Sequence, residues 1–135
     1  MNTRDLPSGP ALDAIVAQRV LGHHSDADGI WHPANATGLH SPIALEAYSA
    51  DIRAAWTIVE RLRDAGYAVR VQALPSPEAG CICLVERSVL GVHARVGVGS
   101  ANGAALAICR AVLAAAEQTA STDDSGYAVA AGTRA

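Results

Sequence analysis

The chain has no phenylalanine and no lysine, only two tryptophans and three tyrosines, and three cysteines in 135 residues. Each shortage excludes something. Without lysine there is no P-loop, whose lysine reaches the terminal phosphates, so any anion site must be built from arginine. Three cysteines are an odd number, and without a secretory signal they argue for reduced thiols over a disulfide framework. No stretch approaches the roughly 18 apolar residues that span a bilayer, and Met1 to Pro10 lacks the apolar core of a signal peptide. The expected location is the cytoplasm. A formal net charge of −3 argues against nucleic acid as the main partner, since such proteins usually carry a basic balance or face.

What is present is alanine, 29 residues of it, in a composition that is 50% hydrophobic and 17% charged. A chain of this length folds as one domain and buries enough surface to need neither disulfide nor metal. All ten basic residues are arginine, and with the alanine content this is what a GC-rich coding sequence produces.

Residues 1–9 are polar, with Pro7 and Gly9, and read as a flexible leader. Pro10 suits a first helical turn, and Leu12, Ile15, Val16 and Val20 follow at helical spacing, with Asp13, Gln18 and Arg19 on the other side and Gly22 as the stop. His23 to Ser41 reads as a long loop holding His23, His24, His32 and His40, pinned to the core by Ile30, Trp31 and Leu39. Ser49 is placed to cap a second helix ending at Gly66, with an apolar stripe of Ile52, Ala55, Trp56, Val59 and Leu62.

Three extended segments come next: Tyr67 to Leu74, Cys81 to Arg87, and Val92 to Val98. In the first, Val69, Val71 and Ala73 oppose Arg70 and Gln72; in the third, Ala94, Val96 and Val98 oppose His93, Arg95 and Gly97. Short links imply antiparallel neighbours. The middle segment, Cys-Ile-Cys-Leu-Val, is apolar on both sides, the pattern of a central strand covered on both faces. A last helix, Gly103 to Gln118, is capped by Ser100-Ala101-Asn102. The expected fold is α+β, a three-stranded antiparallel sheet packed with three helices in an αβα sandwich-like domain over residues 10–118, followed by a disordered tail over 119–135.

The residues offer little chemistry. Four histidines with Asp26 and Asp28 could supply metal ligands, but their spacing matches no zinc signature, and Cys81, Cys83 and Cys109 lack paired CxxC turns. Neither a metal nor a cofactor is expected. No serine, cysteine or carboxylate pair has the partners that catalysis requires, so the protein reads as a non-enzyme. Gly97-Val98-Gly99-Ser100-Ala101-Asn102-Gly103 lies between a strand and a helix, where backbone N–H groups approach phosphates. Gly97, Gly99, Ser100 and Asn102, with Arg95 and Arg70, are therefore the candidate ligand site for a small anion such as a phosphate-bearing nucleotide. Trp31 and His32 are the candidate contacts for a partner. Trp56 reads as core.

Three stretches, Leu12-Asp-Ala-Ile-Val-Ala-Gln-Arg-Val-Leu-Gly22, Tyr48-Ser-Ala-Asp-Ile-Arg-Ala-Ala-Trp-Thr-Ile-Val-Glu60 and Ala105-Leu-Ala-Ile-Cys-Arg-Ala-Val-Leu113, together resemble the phage ABA sandwich domain family, short uncharacterised proteins of phages and prophages. The order and spacing match over about Ala11 to Glu117. Ser100 to Ala104 departs from the family pattern, in which an acidic or Thr-Pro lead opens the last helix. The resemblance implies helices packed on an antiparallel sheet and carries over no catalytic residue. It implies a phage or prophage accessory protein, expected to bind a host or phage protein or another copy of itself, with a small anionic ligand as the alternative.

Overall fold

Proline opens α1 (Pro10–Arg19) at a position whose N–H no helical bond would use. The computed structural model describes residues 5–34, 41–76 and 78–125. Leu12, Val16 and Ala17 of α1 are buried, and Gly22, with φ of +75°, turns the chain away after the helix. Asp13, expected on the polar side, is buried instead. Its Oδ1 accepts the N–H of Ser49 at 2.8 Å and the Ser49 hydroxyl at 2.6 Å. Ser49 Oγ in turn accepts from Gly9 N at 2.9 Å, and the Ser8 hydroxyl donates to Ser49 O at 3.0 Å. A buried carboxylate is tolerated where its oxygens are taken by donors, and here those donors fasten the start of α1 to the segment before the second helix.

The expected loop over 23–41 contains a small hairpin. Strands β1 (His24–Ser25) and β2 (Trp31–His32) pair antiparallel, His24 opposite His32. Asp26 shapes the turn: its Oδ1 accepts from Asp28 N and Ile30 N, and Gly29 takes φ of +79°. Trp31 packs half-buried against the core and pairs with Ile43, as its role of pin requires. Ile30 is exposed rather than pinned. Leu39 and His40 lie outside the described residues.

Asp51, not Ser49, caps α2 (Ile52–Asp64), with its carboxylate accepting from Arg53 N at 2.9 Å. The buried stripe is Ala54, Ala55, Ile58 and Val59, whereas Ile52 and Trp56 are each 47% exposed. Trp56 is therefore not core. Two small alanines let the helix sit close on that side, and the stripe centres on them instead of on the large ring. Among the described residues the buried aromatic is Tyr48, whose hydroxyl is held above its ordinary pKa chiefly by burial and by nearby Glu46. Gly66 ends the helix at φ of +96°.

The main sheet runs β3 (Tyr67–Ala73), β4 (Cys81–Val89), β5 (Val92–Ala101), in that order and antiparallel throughout. The strands β4 and β5 meet at a two-residue turn, Leu90 and Gly91, both with positive φ (54° and 80°). Helix α3 (Ala104–Ser125) returns along the sheet, continuing past the expected end at Gln118 into the segment read as tail. Residues 126–135 lie outside the described residues.

Register assigns the faces. Cys81, Cys83 and Val85 of β4 lie opposite Ala73, Val71 and Val69 on one side and Ala101, Gly99 and Gly97 on the other. These form the inner face, against which α2 and α3 pack, with α1 resting on α3. A bulge between Val85 and Glu86 shifts the register, so that Glu86 faces Arg95 and Val96 joins the core. The expected alternation in β5 is corrected accordingly: Val96 lies inward, and Val98 outward with Arg95.

Candidate functional site

The glycine-rich stretch is not a strand-to-helix loop. β5 continues to Ala101 and leaves Asn102 and Gly103 as the link to α3. Gly97 and Gly99 are strand residues whose Cα atoms touch α3 so closely that an added Cβ would collide with the backbone of Ala111 in both cases. Their lack of a side chain serves close packing of helix on strand. Ser100, in the same strand, is exposed, and its carbonyl accepts from Arg110 Nη1 at 2.9 Å. Asn102 is exposed in the link.

Arg70 and Arg95 come together, though not around those glycines. Arg70 on β3 donates through Nη2 to both oxygens of Glu86 on β4, at 3.0 Å each, and Arg95 on β5 lies directly across from Glu86. The three cross the sheet on its outer face. The rest of that face consists of Ala68 and Gln72 on β3, Ile82 and Leu84 on β4, and Val98 and Ser100 on β5. Ile82 and Leu84 are half-buried by their neighbours, Val98 is 40% exposed, and none of these three apolar side chains belongs to the core cluster. The apolar pattern of β4 called for cover on both faces; the described residues of this chain cover one.

A second cluster occupies the small hairpin. His32 Nε2 lies 2.9 Å from Asp26 Oδ2, and its ring stacks on His24 with centroids 5.3 Å apart. That contact, followed by the N–H donors of the turn, holds the Asp26 carboxyl below its ordinary pKa. His23 accepts the Ala34 N–H on Nδ1 at 3.0 Å, and its pKa is lowered, first by burial and then by the nearby charge of Arg61. Among the described residues no group of three or more His, Cys, Asp or Glu side chains is placed to hold a metal ion.

Two of the three cysteines lie in the core, and the third, Cys81, is half-buried at the start of β4. Cys83 and Cys109 are fully buried, and burial pushes both thiols up to about 12, with Asp13 adding to the effect at Cys109. A thiol so raised is overwhelmingly protonated at neutral pH and is a poor nucleophile. Ser49 is occupied by Asp13, as above. No described helix is long and apolar enough to cross a membrane.

The sequence reading missed the outer-face trio Ile82, Leu84 and Val98 as a surface. The signal was present, because a doubly apolar β4 in a chain with few elements leaves one face in search of cover. It also missed the β4–β5 tip, where Leu90 is 99% exposed and Val92 67%.

The family model described as "Phage ABA sandwich domain" matches residues 14–113. No curated protein and no solved structure matches the chain.

Proposed function

The chain belongs to the phage ABA sandwich domain family, and from that premise we propose that it is a non-enzymatic accessory protein of a phage or prophage, acting in the host cytoplasm by docking onto another protein. The observation that carries this reading is the outer face of the main sheet, which no described element covers and where Ile82, Leu84 and Val98 stand outside the core. Apolar side chains gathered on one open face, edged by polar ones, mark interaction surfaces more often than isolated exposed hydrophobics do. The buried, protonated thiols of Cys83 and Cys109 are what a binding module tolerates and a thiol nucleophile does not.

Site-specific photocrosslinking in cells carrying the gene tests it. A crosslinker at Gln72 or Ser100, both on the outer face, is expected to give a discrete adduct that Leu84→Asp abolishes, while one at Glu60 on α2 gives none. Equal labelling at all three positions, or no adduct anywhere, would count against the reading. A thermal shift with a phosphate-bearing nucleotide, lost in Arg95→Ala, would point instead to a small anionic ligand.

A further inference from the structure

We propose that the occupant of the open sheet face is a single amphipathic helix with a surplus of acidic residues, supplied by a different protein. This rests on the docking reading above and names the chemistry of the partner.

Dimensions decide first between a helix and a second copy. Three strands at about 4.8 Å spacing place the axes of β3 and β5 about 10 Å apart, and the seven residues of β3, all paired with β4, extend about 23 Å at roughly 3.3 Å each. The flat area enclosed, widened by half a spacing on each side, is on the order of 300 Å². Stable dimers bury about 800 Å² on each partner. Even after allowance for side-chain relief, the face falls short of what a second copy would need from this surface alone. A helix is about 10–12 Å across and rises about 1.5 Å per residue, so one of about 15 residues covers the face along its length. It would lay its apolar stripe on Ile82, Leu84 and Val98, the mode in which amphipathic helices are held by their i, i+3, i+4 and i+7 side chains.

Charge decides the composition of the helix. The chain as a whole is acidic, with a net charge of −3, yet this face carries Arg70 and Arg95 against the single carboxylate of Glu86. Glu86 is already engaged by Arg70 through both oxygens, and its side chain is 14% exposed against 66% for Arg70. What faces outward is therefore guanidinium, on the two edge strands, with Arg70 level with Leu84 and Val98 and Arg95 in the next row towards the β4–β5 tip. A second copy would bring a further surplus of guanidinium. A helix bearing Asp or Glu on its flanks would meet these arginines with complementary charge while its apolar stripe lay on the neighbouring trio.

The test is a selection of displayed 15-residue helical peptides, randomised on their surface, against the full chain, followed by binding of the synthetic winners. Enriched peptides are expected to be amphipathic and acidic. Their affinity is expected to fall by about tenfold or more with Leu84→Asp or Val98→Asp, and by several-fold with Arg70→Glu combined with Arg95→Glu, recovering when the peptide's acidic residues become lysine. Val98 is exposed enough that its aspartate variant keeps the fold, which circular dichroism verifies. Peptides indifferent to all these variants would overturn the helix site while leaving another docking surface open. Sedimentation showing a dimer that Leu84→Asp dissociates would also overturn it, giving the face to a second copy and leaving the docking reading intact. No enrichment together with a monomeric chain would overturn both.

Discussion

The two faces of the main sheet are made from alternate residues of the same three strands, yet they meet opposite demands. On the inner face, Cys83 and Val85 are fully buried, and Gly97 and Gly99 lie under α3 with no room for an added Cβ. On the outer face, Ile82, Leu84 and Val98 are no more polar than their inner counterparts and lack any cover from the core cluster. Apolar character alone therefore does not determine which face is buried. What separates the two is the absence of side chains at Gly97 and Gly99, which admits the α3 backbone on one side only. Stability is concentrated on that side.

The largest expected effect sharpens this contrast directly. Gly99→Val drives a branched side chain into the backbone of Ala107 and Ala111, which cannot move aside, and should cost about 3 kcal/mol or more in urea unfolding. Val98→Thr, one residue away on the outer face, should cost no more than about 0.5 kcal/mol. Similar losses at the two positions would break the comparison.

Next in size is the pin behind the helix layer. Asp13→Ala leaves the buried N–H and hydroxyl of Ser49 without their acceptor and should destabilise by about 2 kcal/mol. Asp13→Asn keeps an acceptor oxygen and should recover much of that loss in the same thermal or urea melts.

The open side predicts a gain. Leu90 holds φ of +54° at the hairpin tip while its side chain touches almost nothing, so Leu90→Asn should stabilise by about 0.5–1 kcal/mol. A loss instead would show that the leucine is held by contacts at the tip.

The smallest effect is local and pH-dependent. His23 is held below its ordinary 6.5, so the unfolded chain takes up the proton first. Stability from this group is present above that value and lost as pH falls through it. Protonation of Nδ1 also removes the acceptor for Ala34 N–H. Amide exchange at Ala34 should therefore speed up, beyond its intrinsic trend, as pH falls below 6.5, and His23→Asn should flatten the difference.

Much of the architecture could be read from the sequence, because periodicity and punctuation agree there. Pro10, Gly22, Gly66 and the paired valines of β3 mark three of the elements without ambiguity. The errors arose where a large side chain outweighed small ones, or where an extra residue broke the phase. Trp56 drew the α2 stripe towards itself, and although Ala55 and Val59 are buried as expected, Ala54 and Ile58 are the residues that replace Ile52 and Trp56 in the core. The bulge beside Glu86 inverts the alternation of β5, and nothing local in Val-His-Ala-Arg-Val marks it. The acidic group buried at Asp13 was hidden because its partner, Ser49, also fits a helix cap. For the candidate site, the sequence suggests Arg70 and Arg95 as helpers of the glycine-rich turn, whereas the structure sets both arginines beside Glu86 and packs Gly97 and Gly99 against α3.

The seam between β5 and α3 also has an entropic side. Ala107, Ala111 and Ala115 are buried against Gly97 and Gly99, and none of these five residues has a rotamer to freeze on folding, whereas a leucine or methionine in the same place would give up about 0.5–2 kcal/mol of side-chain freedom. The alanine that makes the composition look impoverished thus forms a contact whose ordering penalty falls on the backbone alone. A chain without phenylalanine can hold its longest helix on its longest strand in this way, with little apolar area per residue and correspondingly little side-chain disorder to overcome.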